Sequence, residues 1–342
     1  MNDLTSLRDL GDTLDQELRG PSPQLRHRVL TGIGQQRARI AGRQPWSARR
    51  RLAVTGVLAM ALAAALLAAS TLRLWGASPA ASAQAAQILH LAAVAAQRQP
   101  ALTTGPSQFI YVQSVETAAT LTGSSDGRIT SVHLSTNLRE IWNSVSGTRD
   151  GLLREQPRSG TAPGQPTGPW QTTSLAVCSH SRTTPVAGAA LTPPGRCVPQ
   201  PAVPTGLPTS IQAMVAYLYR NSHGQNPPAV EAFITAGDLI RESYVRPPAL
   251  AALFAAAAQL PGVSVVPRAV NAAGQRGIAV QQRFRGISQQ LIFNPRTYAF
   301  IGERQVAVSA ASGLRAGTIL DSTAILRLAV VDRAGQLPRP VR

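Results

Sequence analysis

The sequence predicts one transmembrane helix followed by an extracytoplasmic α+β domain with a mostly antiparallel sheet covered by helices. Three observations carry this reading. Residues 52–72 read LAVTGVLAMALAAALLAASTL, an apolar run without a charge. Beyond residue 100 the chain shows strand patterns, then helical patterns, then strand patterns again. Short turn signals join the strand runs, which favours hairpins and a sheet with one face buried under the helices.

The apolar run sets the layout. A helix rises ~1.5 Å per residue, so it crosses the ~30 Å hydrocarbon core once. In lipid a helix satisfies its own backbone groups. We set the span at 52–74. Arg49, Arg50 and Arg51 abut its start, with Arg37, Arg39 and Arg43 close behind. The far side, 76–97, is nearly neutral, so the basic flank stays in the cytoplasm and 75–342 lies outside. A cleaved signal peptide is the competing reading, with Ala81-Ser82-Ala83 as its small-x-small site. The ~50 residues before the run are too long for the leading region of such a signal, and the run exceeds the usual ~7–15 residues. The Arg49-Arg50 pair has the look of a twin-arginine signal, but basic residues before any span look the same.

Residues 1–51 form a basic tail with two short amphipathic helices. Leu4, Leu7, Leu10, Leu14 and Leu18 fall on one helical stripe, and Gly20-Pro21 ends the pattern. Ser22 reads as an N-cap with Pro23 at the first helical position, followed by Leu25, Val29, Leu30 and Ile33 on one side. Helices of this length are marginal alone, so a partner protein or the membrane surface must cover the leucines if they fold.

Outside, Gly76 and Pro79 break the span, and the alanine-rich 80–97 reads as a helix lying against the domain, with His90 expected as a buried neutral imidazole. QFIYVQSV at 108–115 is β-branched and aromatic, hence a strand. Asp126-Gly127 marks a turn, 128–135 and 138–145 read as two more strands, and 152–155 as a fourth. Residues 156–208 are dense in Pro, Gly, Ser and Thr and read as an irregular insertion anchored by Trp170. Helices follow at 209–220, 228–243 and 247–260. Strands at 263–266, 277–284, 289–293, 298–308 and 323–331 complete the sheet, with a hairpin turn at Asn294-Pro295-Arg296-Thr297. About eight strands allow a curved, half-barrel (LolA-like) sheet; such folds often hold a lipid or lipid-like ligand, which is analogy at fold level.

All 33 basic residues among the 342 are arginine, against 16 acidic ones, for a formal charge of +17. A basic outer surface attracts anionic lipid headgroups or wall polymers. The bland alternative is the coding bias of a GC-rich genome. Nucleic acid is not an expected partner for a domain outside the cell. Cys178 and Cys197 both fall in the part placed outside, where disulfides persist. A bridge would close a loop of ~20 residues, worth ~3 kcal/mol in the chain-entropy model. Two free thiols are the alternative. Cys178-Ser179-His180 lacks the paired spacing of a zinc site.

The search for chemistry is short. The five histidines, His27, His90, His133, His180 and His223, are scattered. There is no G-x-S-x-G, phosphate loop or dinucleotide fingerprint. Asp238 and Glu242 share a helical face beside Arg241, with Glu231 on the same helix, and the ordinary reading of such charges is a solvated face. No catalytic, cofactor-binding or metal-binding residue is assigned, and no enzyme is expected.

Five segments carry a resemblance: MNDLTSLRDLGDTLDQ before the span, then REIWNSVSGTRDGLLRE, ITAGDLIRESYVRPPALAALFAAAAQLPGV, LIFNPRTYAFIGER and AILRLAVVDRAGQLP outside it. Together they resemble an actinobacterial family of single-pass membrane proteins of uncharacterised function, often encoded beside sigma factors of the extracytoplasmic-function type. The resemblance covers most of the chain apart from the Pro/Gly-rich insertion. Its motifs carry no assigned chemistry, so no site residue transfers. It implies a regulatory, anti-sigma-like role: cytoplasmic helices hold a sigma factor and the outer domain senses. The chain departs from the zinc-bound anti-sigma pattern in having no cysteine within 1–51. The function expected is a membrane-anchored regulator whose Leu4/Leu7/Leu10/Leu14/Leu18 stripe docks a cytoplasmic protein. The alternative is a tethered module binding a lipid, glycan or envelope protein with no sigma-factor role.

Overall fold

The computed structural model describes residues 80–124, 128–159, 164–176, 200–310 and 314–340. The expected span, Leu4, Leu7, Leu10, Leu14, Leu18, Arg49, Arg50, Arg51, Cys178, Cys197 and the Asp126-Gly127 turn all lie outside them. Among the described residues no helix is long and apolar enough to cross a membrane. Apart from residues 223–225, the described residues belong to one compact unit.

That unit is α+β, as the sequence implied. In chain order it runs α1 (Ala83–Gln97), β1 (Phe109–Gly123), β2 (Ile129–Ser144), β3 (Gly151–Ser159), β4 (Gln165–Pro166), β5 (Gln171–Leu175), α2 (Ile211–Asn221), α3 (Pro228–Arg241), α4 (Pro247–Ala257), β6 (Ser264–Val270), β7 (Arg276–Phe284), β8 (Ile287–Phe293), β9 (Phe300–Ala307) and β10 (Ile319–Val331). The ten strands form one open antiparallel sheet in the order β4-β3-β2-β1-β10-β9-β8-β7-β6, with β5 also on β3. Two meanders, β1–β3 and β6–β10, are joined where β1 pairs β10 from Phe109↔Val331 to Ala118↔Asp321.

Several expectations need correction. The strands foreseen at 128–135 and 138–145 are one continuous strand, β2, and β1 runs eight residues past Val115 to Gly123. Thr, Ser and Ala in these stretches hide the alternation, and cross-strand pairing sustains the ladder regardless. The start of the supposed irregular insertion is ordered: β3 continues to Ser159, and β4 and β5 extend the sheet beyond it. Trp170 does serve as an anchor there, with the Arg154 guanidinium 4.6 Å from its ring centre. His90 is exposed rather than buried, because α1 turns Ile88, Leu89, Ala92 and Ala93 inward instead.

The helices cover one face of the β6–β9 half. Ser82 caps α1, its hydroxyl accepting from Ala85 N–H at 3.2 Å, and Ser82 N–H donates to Val263 C=O at 2.9 Å. Ala85, Ile88, Leu89, Ala92 and Ala96 form the inward stripe and pack on α4. α4 is apolar all round because it is enclosed by α1, α2, α3 and the sheet. Leu253, Phe254, Phe233, Met214 and Leu218 complete this core over Val280, Leu291 and Phe293. The same face of β1–β3 contributes Ile110, Val112, Ile141 and Leu153, roofed by Ala202, Val203 and Tyr244. The opposite face buries Phe109, Tyr111, Trp142 and Val331 under the C-terminal tail, where Trp142 Nε1–H donates to Gln336 C=O at 2.7 Å.

The sheet is strongly curved. Ala272, in the turn after β6, joins Val115 of β1 and Ala324 of β10 in one cluster. In a flat sheet β6 and β10 would stand ~19 Å apart at ~4.8 Å per strand. Gly302 lets β9 and β10 close: its φ is +147°, and a Cβ there would lie 2.0 Å from Thr323 O. Gly302→Ala should therefore destabilise the domain by about 3 kcal/mol or more, read from denaturant midpoints.

Candidate functional site

Charge is sorted between the two faces of the sheet. Register places Glu116, Arg139, Glu155, Glu303 and Asp321 on the helix-covered face. The other face carries Arg154, Arg158, Arg283, Arg304 and Arg327, with Glu140 as its one strand carboxylate among the described residues.

On the covered face the charges gather beneath the C-terminal end of α3. Arg139 of β2 is 4% exposed. Its guanidinium reaches Glu242 at 2.6 Å, Glu116 of β1 at 3.0 Å and Glu155 of β3 at 3.2 Å. Burial alone would lower its pKa, but the charges of Glu116, Glu242 and Glu155 outweigh that and raise it. Arg241, the last residue of α3, reaches down to Glu303 of β9, which is 1% exposed, and sideways to Asp238 at 3.5 Å. Two guanidiniums thus pin α3 onto strands of both meanders.

The helix ends in a way that makes this possible. Asn226 donates twice to Glu231 Oε1 (2.9 and 2.7 Å) and Pro228 opens the helix, while Arg241 suits the negative end of its dipole. Glu242 caps the same end against that dipole, and Arg139 offsets the mismatch. Gly237 faces the sheet in mid-helix. A Cβ there would meet Glu303 Oε2 at 2.7 Å and Leu291 Cδ2 at 3.2 Å, so glycine is what allows the close approach. The solvated-face reading of Asp238, Arg241 and Glu242 is corrected: Arg241 and Glu242 turn onto the sheet, and Asp238 stays 44% exposed.

Carboxylates outnumber guanidiniums in this cluster. Burial, with the Glu116 and Glu303 charges and against the pull of Arg241, raises Asp321 to about 7. Its proton near neutrality relieves repulsion among the acids. Among the described residues no three His, Cys, Asp or Glu side chains converge as metal ligands. The arrangement locks helix to sheet. Sequence reading missed Arg139, Glu303 and Asp321 as a unit. The available signal was a charge at an inward strand position, as in REIW and LDSTAIL.

A second feature is a cleft of about 250 Å³ between α1 and the β6–β7 edge. Gln84, Gln87, Ile88 and Leu91 form one wall; Val265, Pro267, Ile278 and Tyr298 form the other. Tyr298 holds φ +56° in the β8–β9 turn, where Asn294 Oδ1 accepts from Arg296 and Thr297 N–H. That side-chain clasp makes the connection wider than the four-residue hairpin turn foreseen.

No protein-family model matches the chain, and no curated protein matches it either.

Two outcomes test the cluster. Arg139→Met should cost about 3–5 kcal/mol in urea unfolding at neutral pH, because three carboxylates lose their shared cation. Asp321 is protonated in the native state above its unfolded value of 3.8 and up to about 7. The stability it contributes is full below the lower value and is lost as pH rises through this window. Asp321→Asn should flatten that decline, seen as a smaller drop in Tm between acid and neutral pH.

Proposed function

We propose that the chain is a membrane-anchored, non-enzymatic regulator, an anti-sigma-like protein with an extracytoplasmic sensory domain. The observation that carries this reading is the position of α1. It is the first described element after the expected span, with only eight residues between residue 74 and its start at Ala83. It is also one wall of the cleft, packs on α4, and is tied to Val263 at its capped start. A ligand or partner that shifts α1 acts on the element nearest the span. Cleavage after Ala83 would strip α1 of its Ser82 cap, which favours a retained anchor. On the cytoplasmic side, the unshared Leu4/Leu7/Leu10/Leu14/Leu18 stripe is the surface for a sigma factor.

The second reading, a tethered binding module without a sigma-factor role, draws on the same cleft and on the sheet's curvature, which fits a half-barrel (LolA-like) description. The helix–sheet interior speaks for the first reading: it is filled by Phe233, Leu253, Phe254, Leu291 and Phe293, each at most 2% exposed. The cleft is also smaller than the ~300–1,000 Å³ usual for ligand pockets.

Co-expression of the full chain with an extracytoplasmic-function sigma factor encoded beside it provides the test. The sigma factor should co-purify from detergent, and a Leu7→Asp/Leu14→Asp variant should lose it. Equal recovery with both forms, or none with either, refutes the regulatory role. Protease added to intact cells should digest the C-terminal part.

A further inference from the structure

The strand directions bring several connections to one end of the sheet. There lie the β7–β8 turn with Arg285, the β9–β10 loop with Arg315, and the distal part of the β1–β2 hairpin. Arg283, on the last turn-ward residues of β7, points out from the helix-free face. Arg283, Arg285 and Arg315 are all exposed. Arg158 of β3 and Arg304 of β9 stand behind them on the same face, opposite Thr136 and Ser322. None of these five arginines makes an ion pair with a described carboxylate. The described residues of 119–124, 128–135, 284–287 and 308–318 contain no acidic residue.

The hairpin adds apolar surface. β1 pairs β10 only as far as Ala118, and β2 pairs β3 only from Thr136 onward. Residues 119–123 and 129–135 therefore project as a two-stranded arm. Ala119, Leu121, Val132 and Leu134 share the helix-free face of that arm by register. Val132 is 37% and Leu134 48% exposed. Large aliphatic side chains on a projecting strand pair, at the same end of the sheet as arginines with no ion pair to a described carboxylate, form the pattern of a surface that meets anionic headgroups.

The chain's own path says which surface is near. Ser82 N–H bonds to Val263 C=O, one residue before β6, so α1 starts at this same end of the sheet. The residues between 74 and 83, even fully extended, reach at most ~30 Å. An end of the domain that is tethered this closely cannot leave the bilayer's neighbourhood.

We infer that this end of the sheet, with Arg283, Arg285, Arg315 and the Val132/Leu134 arm, docks on the anionic lipid surface of the membrane that anchors the chain. The inference rests on the reading of 52–74 as a span. Docking would fix the tilt of the domain, leaving the α1 cleft and the helix layer to face outward or sideways by geometry alone.

Hydrogen exchange of the full chain in nanodiscs tests it. In discs containing phosphatidylglycerol, peptides covering 128–135 and 284–287 should exchange on the order of tenfold more slowly than in pure phosphatidylcholine discs. High salt should erase the difference. So should an Arg283→Gln/Arg285→Gln/Arg315→Gln variant, whose α4 peptides serve as the folding control. Equal exchange in both lipids, with the chain inserted, overturns the docking surface and leaves the anchor standing. Failure to insert into either disc overturns the anchor and the docking with it. Protection of the same peptides by soluble dextran sulfate in phosphatidylcholine discs, with no response to phosphatidylglycerol, would assign the surface to a soluble polyanion and overturn the lipid.

Discussion

The pairing of β1 with β10 is the constraint on which everything else depends. Without it the domain is two meanders, each with an open flank and half a core. The ladder carries ten residue pairs from Phe109 to Ala118 and bulges once, between Gln113 and Ser114. It sets Ile110 and Val112 of β1 beside Val330 and Leu328 of β10 on the helix-covered face, and Phe109 opposite Val331 on the other. It also brings Glu116 and Asp321 near enough to share the field of Arg139 and Arg241. The ionic cluster is thus a product of the strand order rather than of any local motif.

The cluster is a costly way to join a helix to a sheet. Burying an ion pair is often no better than burying a hydrophobic pair of the same volume. Its advantage here is direction. An apolar patch lets α3 slide or rotate. Arg139 with three carboxylates and Arg241 over Glu303 admit one placement, and Gly237 lets the helix come down to meet them. The sorting of arginines to the opposite face then follows from the same economy. Acids are needed where two guanidiniums are buried, and few acidic residues remain for the other side.

Much of the architecture was legible because it rests on local patterning. QFIYVQSV, the capped and proline-started helices, and the turn residues around Asn294 each state their role within ten residues. The strand–helix–strand order then gave the fold class. What escaped reading was non-local. The extent of β1 and β2 is decided by pairing between polar residues such as Thr117 and Thr136, whose hydroxyls lie 2.9 Å apart. The inward turn of Arg241 and Glu242 depends on strands sixty to a hundred residues away in either direction. His90 misled because an imidazole in an apolar run looks buried, whereas the helix needs only one stripe. The charge sorting is written in the alternation of each strand, yet it becomes visible only once the register is known.

The strand order has a temporal side as well. β1 is made early, and its partner across the ladder is the last strand of all. α1 waits similarly for α4 and for Val263. Long separations of this kind slow folding and prolong the exposure of unpaired edges. A ribosome must finish nearly the entire polypeptide before β1, already paired with β2, finds its second neighbour β10. If the chain is exported unfolded, the β1–β10 ladder closes only on the far side, and until then FIYVQSV presents one unpaired edge.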